Sequence, residues 1–205
     1  MSSLIGVPRG RFIVLEGGDG SGKSTQARLL ANALSAELTR EPGGTPVGEK
    51  IRELVLDPST PELHTRTEAL LMAAARAQHV AELIEPTLAK GTSIVSDRFI
   101  ASSLAYQGVA RGLGIEAVAV TNELALDGLT PDLTILLRVP AIDARDRIDR
   151  DLDRIEQASL DESVVATYEE LAAADPAGWL IVEAVGSIED IHAQIRDGVK
   201  ERLGL

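Results

Sequence analysis

The stretch Gly17-Gly-Asp-Gly-Ser-Gly22-Lys23-Ser24 limits what this chain can fold into more than any other segment. It sits between an apolar, β-rich run, Arg11 to Glu16, and a segment of helical spacing, Ser24 to Ala36. A pattern G-x-x-x-x-G-K-[ST] that follows a strand and opens a helix marks a phosphate cradle. Glycines let the backbone wrap so that successive N–H groups converge on phosphate oxygens, and the helix adds its positive N-terminal end. The alternative, a glycine-rich turn with a surface lysine, requires both flanking contexts to coincide by accident. The cradle therefore implies a nucleoside-triphosphate site made by Gly17, Gly18, Asp19, Gly20, Ser21, Gly22, Lys23, Ser24 and Thr25. Lys23 reaches the β- and γ-phosphates, and the Ser24 hydroxyl ligates Mg²⁺, a hard ion that keeps phosphate oxygens and water in its remaining positions.

The rest of the pattern fits one α/β domain spanning residues 1–205. Short runs that are apolar throughout, Arg11 to Glu16, Thr92 to Asp97, Leu133 to Arg138 and Trp179 to Val182, read as strands of a parallel sheet covered on both faces. Leu38 to Arg40 adds a short one. Helical spacing predicts helices at Ser24–Ala36, Val47–Leu56, Thr67–Lys90, Ile100–Gln107, Ile115–Leu126, Ala141–Ile148, Leu160–Ala174 and Ser187–Leu203. No repeat and no linker divides them. Arg145 to Glu156 alternates charge without an apolar stripe, which suits a solvated helix end or a mobile flap.

Composition narrows the partners. The net charge of -12, with only 2% aromatic residues, argues against nucleic acid, which needs a clustered basic surface and stacking platforms. No apolar run approaches the roughly 20 residues that span a bilayer, and the first residues lack a signal-peptide layout. The absence of cysteine suits a reducing cytoplasm. If the ligands are anions, the few cations must gather where they bind. Lysine occurs only at 23, 50, 90 and 200, so arginine carries most of that task.

A GTPase would carry an Asn-Lys-x-Asp stretch for guanine, and this chain has none, so a small kinase leads. Its second substrate is to be sought in arginines and carboxylates that follow strands. Three stretches qualify: Thr39-Arg-Glu-Pro-Gly-Gly-Thr45, Ser96-Asp-Arg-Phe-Ile-Ala-Ser-Ser-Leu-Ala-Tyr-Gln-Gly108 and Leu152-Asp-Arg-Ile-Glu156. With the cradle they occur in the order found in the thymidylate kinase family, which the chain resembles from Phe12 to about Ala174. That resemblance implies a P-loop kinase fold, a five-stranded parallel sheet flanked by helices on both faces. It also implies a mobile lid at about 145–157, a homodimer, and transfer of a phosphoryl group from ATP to dTMP with Mg²⁺.

The residues support this on their own chemistry. Arg98 follows Asp97 at a strand end, where its planar fork can grip a monophosphate. A strand-end ion pair is the alternative for Arg98, and a water-mediated place in the Mg²⁺ shell is the role considered for Asp97. Met72, Arg76, Val80 and Leu83 share one helix face. An arginine thus interrupts an apolar stripe, and something polar must meet it: a carboxylate, or, as the resemblance implies, a thymine carbonyl. Met72 stands where the family usually places an aromatic ring over the base. The resemblance also sets Ser103 at the base edge, Tyr106 against the deoxyribose, Asp19 at the acceptor's 3′-hydroxyl and Arg40 at its phosphate. It carries Glu16 as well, for which a turn-stabilising role serves nearly as well. Gln107 is a candidate for the sugar end.

A phosphate monoester is already anionic, so attack needs alignment and charge neutralisation more than a base. His64, His79 and His192 have no ligand spacing and read as surface or core residues. A lid arginine completes the transfer site; Arg147, Arg150 and Arg154 are candidates, and Arg150 is favoured, although the family's lid arginine-glycine pair is missing. Arg138 reverses the family's usual aspartate. Lys23, Asp19, Arg98 and Arg150 are thus the expected catalytic set. The altered lid and Met72 keep two other readings open: a nucleotide-binding regulator without turnover, and a deoxynucleotide kinase with relaxed base choice.

Overall fold

A computed structural model of the protein describes residues 8–139 and 162–205. Five strands, β1 (Phe12–Glu16), β2 (Glu37–Arg40), β3 (Ile94–Asp97), β4 (Leu133–Arg138) and β5 (Trp179–Glu183), form one all-parallel sheet in the order β2-β3-β1-β4-β5. This is the five-stranded α/β sheet that the resemblance implies, and the short strand expected at 38–40 is its edge.

The helices are α1 (Lys23–Leu34), α2 (Pro46–Leu56), α3 (Thr65–His79), α4 (Glu85–Ala89), α5 (Ile100–Ser103), α6 (Ile115–Leu126), α7 (Glu162–Ala174) and α8 (Ile188–Leu203). The helix expected at Ala141–Ile148 and the flap at 145–157 lie outside the described residues. Two expected helices are not uniform. Val80–Ile84 is a π-helical stretch between α3 and α4. Pro86, just beyond it, has no N–H for the Glu82 carbonyl, and a wider turn accommodates that missing bond. A second π-helical stretch, Leu104–Ala110, carries α5 past Gln107, where sequence spacing ends it.

Period-two alternation divides the core. Ile13 and Leu15 of β1 turn to one face, where they join Ile135, Ala27 and Leu30 of α1, and Ile191, Ile195 and Val199 of α8. Phe12 and Val14 turn to the other and meet Val80, Ile84, Leu88 and Phe99. Leu136 packs there with Met72, Tyr106 and Tyr168. Both faces are dry, which is why the strands read as continuous apolar runs.

The register positions the site. Leu15 and Arg40 are each opposite Asp97, and Glu16 is opposite Leu136, so the loops leaving β1, β2 and β3 emerge side by side. After β1 the chain passes to one side of the sheet, and β4 later takes the other, so the crevice lies at a topological switch point. Leu15 is fully buried at the end of β1. Leu15→Ala is expected to lower unfolding stability by about 2–5 kcal/mol in a urea titration, with an unchanged slope.

Candidate active site

The loop that leaves β1 must turn sharply without meeting β4. Gly17 has φ 145°, and a Cβ there would lie 2.6 Å from the Leu137 carbonyl oxygen, so glycine is required by close approach as well as by conformation. Gly22, with φ 88°, caps the start of α1. Within the loop, the Lys23 ammonium donates to the Gly18 carbonyl at 2.7 Å and to Ser21 Oγ at 3.3 Å. Burial, joined by the neighbouring Arg98 charge, lowers the Lys23 pKa to about 8, and Asp19, Asp97 and Glu16 only partly offset this.

A cleft of about 1440 Å³ runs along the strand ends, lined by residues 19–25 of the loop and by Arg40, Met72, Asp97, Arg98, Ser102, Tyr106 and Gln107. The sequence-expected residues are therefore gathered in one place, apart from three groups. Arg76 and Ser103 are buried and do not line the cleft; Gly17 and Gly18 contribute carbonyls from beneath it. Arg150, with Arg147 and Arg154, lies outside the described residues.

Arg98 is the centre of the arrangement. It has φ 73°, a backbone state that a side chain rarely accepts and that is held only where contacts impose it. Its N–H donates to the Leu15 carbonyl at 2.9 Å, and its carbonyl accepts from Ser96 Oγ at 2.8 Å. The guanidinium pairs with Asp19, not with the adjacent Asp97. It also donates to the Gly17 carbonyl at 3.3 Å, Ser102 Oγ at 3.1 Å, the Tyr168 hydroxyl at 3.2 Å and the Tyr106 hydroxyl at 3.3 Å. Tyr106 donates to the same Asp19 carboxylate at 3.0 Å, and the Arg98 guanidinium lies 5.2 Å from its ring centre.

Glu16 is fully buried beneath this group. Its carboxylate accepts from the Phe99 N–H at 2.9 Å, the Ser102 N–H at 3.2 Å and Ser102 Oγ at 2.7 Å, which fixes the start of α5. Burial raises its pKa, opposed by Arg98 and these hydrogen bonds. Ser24 Oγ donates to Asp97 Oδ2 at 2.5 Å, while Asp97 Oδ1 is buried with no hydrogen-bond partner. A hydroxyl beside an unsatisfied carboxylate oxygen is a hard-oxygen pair suited to Mg²⁺. Among the described residues no group of three acidic or histidine side chains could hold a metal by itself, so phosphate and water would complete the shell.

The polar partner that Arg76 demands is present within the protein. Its Nε donates to Glu41 Oε2 at 2.8 Å and its NH2 to Ser103 Oγ at 3.1 Å and the Phe99 carbonyl at 3.3 Å, with a further short bond to Asn122. Glu41 also bonds His79 Nδ1 at 3.0 Å, and His79 Nε2 bonds Thr39 Oγ1 at 2.7 Å, so His79 is a core residue. His64 caps α3, bonding the Arg66 N–H at 3.2 Å. Arg40 is half-exposed and pairs with Glu49 at 2.9 Å. Arg138 pairs with Glu183 and, at 3.6 Å, with Glu169.

Sequence reasoning missed Tyr168, Glu68 and Arg111. Tyr168, fully buried on α7, shares a hydrogen bond with Ser102 at 2.9 Å besides holding Arg98. A signal existed: it is one of two tyrosines in an aromatic-poor chain, with a polar tip that burial obliges to find a partner. Gln107, 1% exposed, donates from Nε2 to Glu68 Oε1 at 3.0 Å, and its Oε1 has no hydrogen-bond partner.

The far end of the cleft, lined by Gln26, Ala27, Gly186, Ile188 and Ile191, was also not anticipated; Gln26 Nε2 there donates to the Ile188 carbonyl at 3.0 Å.

Comparison with known proteins agrees with this geometry. The thymidylate kinase family profile matches residues 15–195. The thymidylate kinase of Desulforudis audaxviator is 50% identical over 184 residues, 85% of this chain and 83% of that protein. That of Symbiobacterium thermophilum is 45% identical over 200 residues, 94% of each chain. The crystal structure of the Ehrlichia chaffeensis thymidylate kinase superposes with a TM-score of 0.77 at 29% identity, covering 94% of this chain and all of that one. A phosphate loop, an arginine at the end of β3 paired with that loop, and relatives alike over most of their length lead to one assignment: the chain belongs to the thymidylate kinase family.

Proposed function

We propose that this protein transfers the γ-phosphoryl group of ATP to dTMP, giving dTDP and ADP, as a single catalytic domain. Family membership supports the reaction. The observation that carries the site is the contact of Arg98 and Tyr106 with Asp19, which joins the acceptor clamp to the phosphate loop. ATP lies with its phosphates on residues 17–25 and its base toward Ile188 and Ile191. dTMP takes the opposite end, with its phosphate on Arg98 and Arg40 and its sugar against Asp19 and Tyr106. Met72 reaches the base from the cleft wall, and so does Gln107, which we move from the sugar end to the base end because its buried Oε1 lacks a partner; Arg76 and Ser103, bonded to each other, lie behind that wall.

The acceptor phosphate is its own nucleophile, so the protein's work is placement. Lys23 and Arg98 bring two anions to one point and offset their mutual repulsion. Asp19, released from part of its grip on Arg98 when a phosphate arrives, is left to accept from the 3′-hydroxyl. Tyr106 stands where a ribose 2′-hydroxyl would clash. Mg²⁺, held by Ser24 and through water by Asp97, would supply charge neutralisation of the donor phosphates. A lid arginine, Arg150 in this reading, adds charge to the transferring group.

Met72 favours a second reading within the same class. A thioether covers a ring face but specifies it less than an aromatic, so dUMP is the competitor to test. The intact set of Lys23, Ser24, Asp19 and Arg98 speaks against a regulator without turnover. We place the protein in the cytoplasm, a reading supported by the absence of cysteine. Among the described residues no helix is long and apolar enough to cross a membrane. We also propose a homodimer. Val120 and Leu124, one turn apart on α6, are 65% and 92% exposed, an apolar face that a second copy would cover.

Coupled ADP release with dTMP, dUMP, dGMP and no acceptor tests the assignment. Turnover should require dTMP or, more weakly, dUMP, and Arg98→Ala and Lys23→Ala should each lower kcat/KM by at least about 10²-fold. Equal release without any acceptor would refute it. Lys23 also predicts a proton signature. With a pKa of about 8, half the ammonium groups are neutral at pH 8; bound phosphates favour the charged form and raise the pKa. Binding of a non-hydrolysable ATP analogue at pH 8 should then take up about half a proton, seen by calorimetry in buffers of different ionisation enthalpy, and almost none at pH 6. In light scattering at micromolar concentration, Leu124→Glu should convert a dimer to a monomer; a monomeric wild type would end that part of the proposal.

A further inference from the structure

We propose that Glu68 and Arg111 are positioning residues that fix the Gln107 amide as a hydrogen-bond acceptor for the acceptor base. They thereby select a ring that presents an imide N–H over one that presents a bare ring nitrogen beside an amino group. The inference rests on Gln107 lying at the base end of the acceptor site, as proposed above.

The orientation of an amide side chain follows from its partners. Glu68, 1% exposed in the first turn of α3, offers a carboxylate that only accepts, so Gln107 must turn its nitrogen toward it, and does so at 3.0 Å. The oxygen is then the atom left over, buried in a residue that lines the cleft and bonded to nothing. A buried acceptor of this kind is satisfied only by a donor brought from elsewhere.

Glu68 is itself held. Arg111 donates from Nε to Glu68 Oε1 at 3.3 Å and from NH2 to Oε2 at 3.1 Å, a two-point grip that supplies the countercharge a buried carboxylate needs and stops it from rotating. Gln107 and Arg111 stand four residues apart where the π-helical stretch Leu104–Ala110 ends, so the clamp and the residue it orients are carried by one piece of backbone. Thymine and uracil present an N3–H donor between two carbonyls. Cytosine presents N3 as an acceptor, which would face the Gln107 oxygen lone pair to lone pair. Because Met72 can cover a ring without reading its edge, discrimination between these rings falls on the edge contact.

Glu68→Gln keeps the shape and removes the constraint, since two amides can pair in either sense and Gln107 is free to turn its nitrogen outward. Steady-state kinetics with dTMP and dCMP should show the dTMP KM raised by about tenfold with kcat within about twofold, and the dCMP to dTMP ratio of kcat/KM raised by at least about tenfold, the effect of one edge hydrogen bond. The double variant Glu68→Gln with Gln107→Glu restores an obligate acceptor at 107 and should recover most of the lost preference for dTMP. Arg111→Lys, which keeps the charge but not the two-point grip, should shift KM in the same direction by about threefold.

A Glu68→Gln enzyme with wild-type KM and selectivity, beside a Gln107→Ala enzyme whose dTMP KM has risen, would overturn the positioning role alone. Gln107→Ala without effect on the dTMP KM would instead remove Gln107 from the base end, and the inference with it. Equal losses of kcat with both nucleotides, or a Glu68→Gln chain that does not fold while the double variant folds with its selectivity unrecovered, would mark Glu68 as a structural residue and overturn the proposal.

Discussion

A guanidinium that leaves water must find an anion, or the fold bears the cost of its desolvation. Arg98 meets this demand by pairing with Asp19 across the crevice, and much of the site follows from that contact. It fixes the end of β3 against the phosphate loop that leaves β1. It draws Tyr106 to the same carboxylate, and it keeps Arg98 in a left-handed backbone conformation that would otherwise relax. The ion pair also holds the cation beside the phosphate loop, where the proposed acceptor phosphate would arrive. In a chain of net charge -12, phosphate binding depends on such local concentration of positive charge, not on the surface as a whole.

Below this pair runs a second layer of buried polar groups that orients the first. Glu16, Ser102 and Tyr168 link β1, α5 and α7, and Tyr168 brings to Arg98 the helix on the far side of residues 140–161. Glu41, Arg76, His79 and Thr39 form a parallel network that anchors the loop after β2 to α3. Networks of this kind are expensive unless each member is satisfied, and they confer a single geometry when it is. Among the described residues, the unpaired atoms left in the cleft wall, Gln26 Oε1, Asp97 Oδ1 and Gln107 Oε1, therefore stand out against a background of met demands.

Much of this was legible without coordinates. The phosphate loop, the five strands and most helices follow from periodicity and local motif, because those signals act over a few residues. The arginine in the apolar stripe of α3 announced that it needed a partner. It did not announce Glu41, which lies 35 positions away. Tyr168, Glu68 and Arg111 carry no motif, and their roles arise from bonds that span 39 to 70 residues. Periodicity runs one uniform helix through Val80 and ends the next at Gln107, whereas π-helical turns at Val80–Ile84 and Leu104–Ala110 break the 3.6-residue period that such a reading assumes.

The amino-acid sequence alone determined that a strand, a glycine loop and a helix make a phosphate cradle, since backbone conformation and dipole are local properties. It also directed the search for an acceptor clamp to the strand ends. Only the tertiary structure decided which carboxylate each buried arginine meets, and which acceptor atoms in the cleft wall lack a partner. Those outcomes depend on distances between segments remote along the chain, and a buried charge takes whichever partner the packing brings within reach.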